Sequence, residues 1–112
     1  MAGDLYLQRV AEQHGLDQLT LATREGLLLS GTGDRDLSNR LAAVAPVFAE
    51  EPATLKPGLL EEMARGQPIQ LWRVTIRERP FYLIGFGTPT DMPEEVQAAF
   101  DRIFARRSRL AN

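Results

Sequence analysis

Ile69-Gln70-Leu71-Trp72-Arg73-Val74-Thr75-Ile76-Arg77-Glu78-Arg79-Pro80-Phe81-Tyr82-Leu83-Ile84-Gly85-Phe86-Gly87 is the stretch that decides the architecture. Its first half alternates. Gln70, Trp72, Val74 and Ile76 fall on one side and Leu71, Arg73, Thr75 and Arg77 on the other, the pattern of a strand with one buried and one largely wet face. The second half does not alternate: Phe81, Leu83 and Gly85 point one way and Tyr82, Ile84 and Phe86 the other. Residues 81–87 therefore predict a strand that is apolar on both faces and covered on both sides. Glu78-Arg79-Pro80 is expected to join the two as a tight hairpin, with Pro80 at the strand start, where a missing donor is tolerated. A sheet holding such a strand needs helices above and below it.

The flanking segments supply them. Asp91 and Glu94 form a D-x-x-E capping pair ahead of Val96, Ala99, Phe100, Ile103 and Phe104, an amphipathic helix. Near the start, Leu7, Val10, Ala11 and His14 make a helical stripe over residues 4–14, and Gly15 sits where a left-handed cap belongs. Gln18 to Thr23 and Leu27 to Ser30 predict a hairpin closed by Arg24-Glu25-Gly26, whose glycine can take positive φ. After the turn Gly31-Thr32-Gly33-Asp34, Asp34 or Asp36 can cap a helix with the inward face Leu37, Leu41, Val44 and Phe48, which Pro46 must kink or end. Residues 50–57 form a surface crossing, and Pro57 and Gly66 bracket a short helix carrying Leu59, Leu60 and Met63. The expected order is α-β-β-α-(α)-β-β-α. This is an α+β fold in which an antiparallel sheet of four or five strands lies between the first and last helices on one face and the central helix on the other.

With 112 residues, 44% of them hydrophobic and 25% charged, the chain has the length and composition of one soluble globular domain. Thirteen basic against fifteen acidic side chains leave a net charge of −2, so no global excess draws it to nucleic acid or an anionic membrane. The absence of cysteine excludes disulfides, thiolate metal sites and thiol nucleophiles, and the single histidine, His14, leaves little for imidazole ligation. The opening residues carry Asp4 and no apolar run, and no stretch approaches the roughly 20 apolar residues of a membrane span. A cytoplasmic location is the expectation.

Individual residues support no catalytic, cofactor or metal site. Gly31-Thr32-Gly33 precedes a helix, but Asp36 stands where a G-x-G-x-x-G loop needs glycine, so a plain turn outweighs a phosphate cradle. His14 has no nucleophile to activate and is best placed against a helix C-terminus. The pairs Glu50-Glu51, Glu61-Glu62 and Glu94-Glu95 diverge by about 100° on a helix and are solvated edges. Arg102, Arg106, Arg107 and Arg109 complement the end of the last helix. Arg73 and Arg77 share the wet side of their strand and can meet a partner's carboxylates, and Trp72 belongs by default to the core.

Gly15-Leu16-Asp17-Gln18-Leu19-Thr20-Leu21-Ala22-Thr23-Arg24-Glu25-Gly26-Leu27-Leu28-Leu29-Ser30, followed by the Leu/Ala-rich helix from Leu37 to Ala49, resembles the roadblock/LC7 family in its "GLDG…L…RDG" opening. The resemblance covers nearly half the chain. Residues 50–66, with Pro52, Pro57 and a short helix, depart from the third strand the family places there. The resemblance implies a profilin-like α/β sandwich acting as a non-enzymatic homodimeric adaptor, in bacteria often beside a Ras-like GTPase governing motility or polarity, or beside another roadblock-domain protein. It implies pairing through the strand after the second helix and through that helix, which here means Leu71, Arg73, Thr75 and Arg77 with Leu37, Leu41 and Val44. The alternative is a GAF-like sensory module, which requires a roomy, polar-lined ligand cavity beneath residues 50–66.

Overall fold

In a computed structural model, which describes residues 2–111 with side chains for 3–104, the strand that carries Phe81 to Gly87 is enclosed on both faces. The elements are α1 (Ala2–His14), β1 (Leu16–Thr23), β2 (Leu28–Gly31), α2 (Arg35–Glu50), a 3-10 turn (Pro52–Thr54), α3 (Leu59–Ala64), β3 (Ile69–Ile76), β4 (Arg79–Gly87) and α4 (Glu94–Ala111). The sheet is antiparallel, in the order β2-β1-β4-β3. β4 has a neighbour on each side, pairing Leu83 with Leu21 of β1 and with Trp72 of β3.

Both faces of β4 are filled. On one, Leu83, Leu19, Leu21 and Val74 meet Leu7 and Val10 of α1 and Phe100 of α4. Tyr6 adds an edge-on ring contact to Phe100 at 5.9 Å between centroids, the geometry that ring quadrupoles favour. On the other face, Ile84, Tyr82 and Phe86 pack under α2 and α3. Helix α2 approaches closely because its buried stripe, Ser38, Leu41, Ala42 and Ala45, is mostly small. At Gly85 the strands are too near for a side chain, since a Cβ there would lie 2.5 Å from the Gln18 carbonyl oxygen.

Several local expectations change. The β1–β2 turn closes as expected, with Thr23 N–H donating to the Leu27 carbonyl at 2.9 Å and Gly26 at φ 87°. The β3–β4 turn is instead the two residues Arg77 and Glu78, at φ 52° and 67°, so Arg79 and Pro80 already belong to β4. Pro46 does not end α2, which continues to Glu50; it sits in the last turns, where losing one internal bond interrupts little downstream helix. Asp34, not Asp36, caps α2, accepting from Leu37 N–H at 3.0 Å. Pro57 precedes α3 by two residues, and Gly58 is its cap. The D-x-x-E pair is not a capping box: Met92 precedes Pro93, which disfavours helical backbone at 92, and α4 begins only at Glu94.

The two faces of β3 should respond differently to charge. Val74 is 6% exposed, and Val74→Arg buries an unpaired cation at a cost of about 3–5 kcal/mol, enough to unfold much of the population. Leu71 is half-buried on the opposite face, so Leu71→Arg is expected to keep a cooperative melt. Thermal unfolding followed by circular dichroism separates them, and equal melts would overturn the assignment of the faces.

Candidate functional site

The α2 side of the sheet is not fully covered. Helix α2 lies over β1, β4 and β2, while β3 is approached on this side by the short α3. Val44 and Phe48 of α2, Leu59 of α3, and Ile69 and Leu71 of β3 are left as a half-buried apolar rim around the second core. Beside this rim runs the outer edge of β3, an end strand of the sheet. Unpaired strand edges are where another chain can add.

Arg73 marks the boundary of the rim. Its guanidinium donates to the Ala49 carbonyl at 3.1 Å and to the Glu50 carboxylate at 3.3 Å, tying β3 to the end of α2. The Tyr82 hydroxyl donates to the same Glu50 oxygen at 2.6 Å. Tyr82 and Arg73 together hold the Glu50 carboxyl below its ordinary value of 4.5. Glu50, followed by burial, pushes the Tyr82 phenol above 10.0. A cleft of about 590 Å³ opens beside these groups, lined also by Arg24, Val47 and Pro80.

The expected interface residues separate into distinct environments. Leu37 and Val44 are half-buried on the flank of α2, but Leu41 is fully buried and serves the core. Leu71 is half-buried, and Arg73, Thr75 and Arg77 are exposed. Thr75 and Arg77 are nevertheless engaged by α4: Gln97 bonds both the N–H and the carbonyl of Thr75, and Asp101 accepts from Arg77 N–H at 3.3 Å. Composition and spacing do not mark Gln97 or Asp101, because their partners lie more than twenty residues away. Only their i, i+4 placement on one side of α4 connects them.

Other singled-out residues have structural roles. His14 Nδ1 lies 3.2 Å from Thr90 Oγ1, joining the end of α1 to the loop before α4. The Gly31-Thr32-Gly33 turn is internally used: Thr32 Oγ1 accepts from Leu19 N–H at 3.0 Å, and the buried Gln18 amide donates to the Thr32 carbonyl at 2.7 Å and to Ser38 Oγ at 2.9 Å. This polar network was not legible from local pattern. Trp72 is half-buried against the α1/α4 core. Arg102 is exposed, while the side chains of Arg106, Arg107 and Arg109 lie outside the described residues. Residues 50–66 contain the 3-10 turn and α3 rather than a strand.

A second cleft, of about 470 Å³, separates the start of α2 from α3 and is lined by Asp17, Asp34, Asp36 and Glu62 together with Arg40 and Arg65, among others. Among the described residues no helix is long and apolar enough to cross a membrane, and no three His, Asp or Glu side chains converge to hold a metal ion. The fold is thus an α+β sandwich with one partly open sheet edge beside an apolar rim. No protein-family model and no curated protein matches this chain.

At the opposite edge, Asp4 of α1 accepts from Gly31 N–H at 3.1 Å and from the Ser30 hydroxyl. Burial is the largest influence on this carboxyl and raises it, but the two hydrogen bonds and the nearby Arg35 outweigh burial and leave it below 3.8. Because the folded value is the lower one, its stabilisation is complete above the unfolded value and disappears as pH falls through the folded value. Asp4→Asn is expected to cost about 1 kcal/mol at pH 7 and to lessen the loss of stability as pH falls below about 4, as measured by urea unfolding. Tyr82→Phe should move the Glu50 carboxyl back toward 4.5, read by carboxyl-carbon NMR.

Proposed function

We propose that this chain is a non-enzymatic adaptor that pairs with itself through the α2 side of β3 and acts by protein–protein contact. The observation that carries the reading is the apolar rim of Val44, Phe48, Leu59, Ile69 and Leu71 lying beside an end strand. A half-buried rim gains by being covered, and an edge strand offers the backbone bonds that orient the cover. The resemblance of residues 15–49 to roadblock/LC7 proteins supports the same surface and suggests the partner class, a Ras-like GTPase or a second roadblock-type chain in the cytoplasm, with roles in polarity or motility. No residue of this chain is assigned a catalytic part in that partnership.

The cleft between α2 and α3 favours a second reading, a GAF-like small-ligand module. Its position beneath α3 and its polar lining are what that reading requires. It ranks second because the charged groups that line it, Asp17, Asp34, Asp36, Arg40, Glu62 and Arg65, are all exposed, which makes it a solvated groove at the surface and not an enclosed ligand cavity.

Light scattering across a wide concentration range tests the first reading. The wild type is expected at twice the chain mass, and Leu71→Arg and Val44→Arg at the single-chain mass with native circular dichroism. Purified Ras-like GTPase in its GDP and GTP-analogue forms is then the binding probe. A wild type that stays monomeric at every concentration overturns the reading, and stabilisation by a metabolite panel in a thermal-shift assay would then favour the ligand module.

A further inference from the structure

The outer edge of β3 is open for only part of its length, and the part that is closed is closed by a side chain. Thr75 stands opposite Pro80. Proline has no N–H, so this pair cannot exchange two ladder bonds, and the backbone groups of Thr75 face away from β4. By the period of two, Ile69, Leu71 and Arg73 also face outward, while Gln70, Trp72 and Val74 bond inward. At Thr75 both outward groups are occupied: Gln97 Oε1 accepts from the N–H at 2.9 Å, and Gln97 Nε2 donates to the carbonyl. A carboxamide presents a donor and an acceptor side by side, as a residue of a neighbouring strand does. Gln97 therefore stands in for one rung of an added strand, and the N–H and C=O groups of Leu71 and Arg73 have no such partner among the described residues.

We infer that Gln97 sets the register in which a second copy of this chain adds to β3: antiparallel, with the two-fold axis at Leu71, so that Ile69 of each copy faces Arg73 of the other. This rests on the self-pairing proposed above. The three outward residues that Gln97 leaves are symmetric about Leu71, so this register uses all of them in both copies, in three narrow pairs of two bonds each. One step toward the turn, Leu71 meets Arg73, but Ile69 then meets Thr75, whose groups Gln97 holds. One step further, Arg73 meets Arg73, placing like charges opposite each other, and Leu71 meets the occupied Thr75. One step the other way, Arg73 meets Gln67, outside the strand. The Leu71-centred register also sets the two Leu71 side chains next to each other on the α2 side, where they continue the apolar rim.

The chain has no cysteine, so single-cysteine variants report the register without background. A narrow pair holds its Cα atoms about 5.5 Å apart, within disulfide range. Under mild oxidation of the full chain, Leu71→Cys should form covalent dimers at least ten times faster than Arg73→Cys. Adding Gln97→Ala to Arg73→Cys frees Thr75, admits the Arg73-centred register and should raise its rate at least tenfold. Where Gln97→Ala does not fold, Gln97→Leu, which keeps much of the side-chain volume and has neither donor nor acceptor, serves in its place. A dimer by light scattering in which the two cysteines cross-link equally fast, or in which the Gln97 change leaves their ratio unaltered, overturns the register while leaving self-pairing intact. A monomer overturns both.

Discussion

The burial of β4 on both faces and along both edges is the constraint on which the remainder depends. Leu83 and Ile84, adjacent in sequence and opposite in direction, are both fully buried, and a strand can satisfy that only if helices cover the sheet above and below. The chain meets the requirement by sending α1 and α4 to one side and α2 and α3 to the other. Once β4 is central, β2 and β3 must be the ends of the sheet. The location of any strand-mediated contact follows from that placement.

Each end is then partly closed by a helix. Asp4 of α1 caps Gly31 on β2, and Gln97 and Asp101 of α4 cap Thr75 and Arg77 on β3. Side chains that reach around an edge remove backbone groups from the template that another strand would use, one of several ways proteins limit uncontrolled pairing. The two helices that do this are also the pair that fills the first core, so packing and edge protection are coupled. Closure is uneven: β2 is four residues long, whereas β3 is eight and keeps its first half free. The free half is the half with Ile69 and Leu71 on the rim side.

What was legible in the sequence is what periodicity can encode. The alternation over 69–77, the doubly apolar run over 81–87 and the helical stripes at Leu7, Val10, Ala11 and at Val96, Ala99, Phe100 each reflect a residue's own face, and the structure buries those faces as expected. The D-x-x-E signature places the start of α4 two residues early because the spacing alone does not express the restriction that Pro93 puts on Met92. Helix α2 runs through Pro46 to Glu50, close to the Leu37–Ala49 span read from its Leu/Ala pattern, and only the alternative that Pro46 ends the helix fails, because little helix follows it. Gln97, Asp101 and the Gln18 network escaped for a different reason. Their partners are backbone groups or side chains brought close only by the finished sheet, and a polar residue on a helix flank carries no mark of such a distant bond.

Pro46 and Gly26 show how the second core reconciles these demands. Without an N–H at 46, the Ala42 carbonyl loses its usual donor four residues on. The β1–β2 turn lies against this same stretch, where a Cβ on Gly26 would come within 3.4 Å of the Ala43 backbone and 3.6 Å of the Ala42 oxygen. Those are ordinary contact distances, so it is the positive φ of the turn, not the space, that favours glycine at 26, while α2 can settle onto the sheet because its buried stripe is mostly small. A larger residue at 42 or 45 would lift the helix and carry Val44 and Phe48 away from β3. The half-buried rim thus depends on the small residues beneath it: its position is set by how little volume α2 puts into the core.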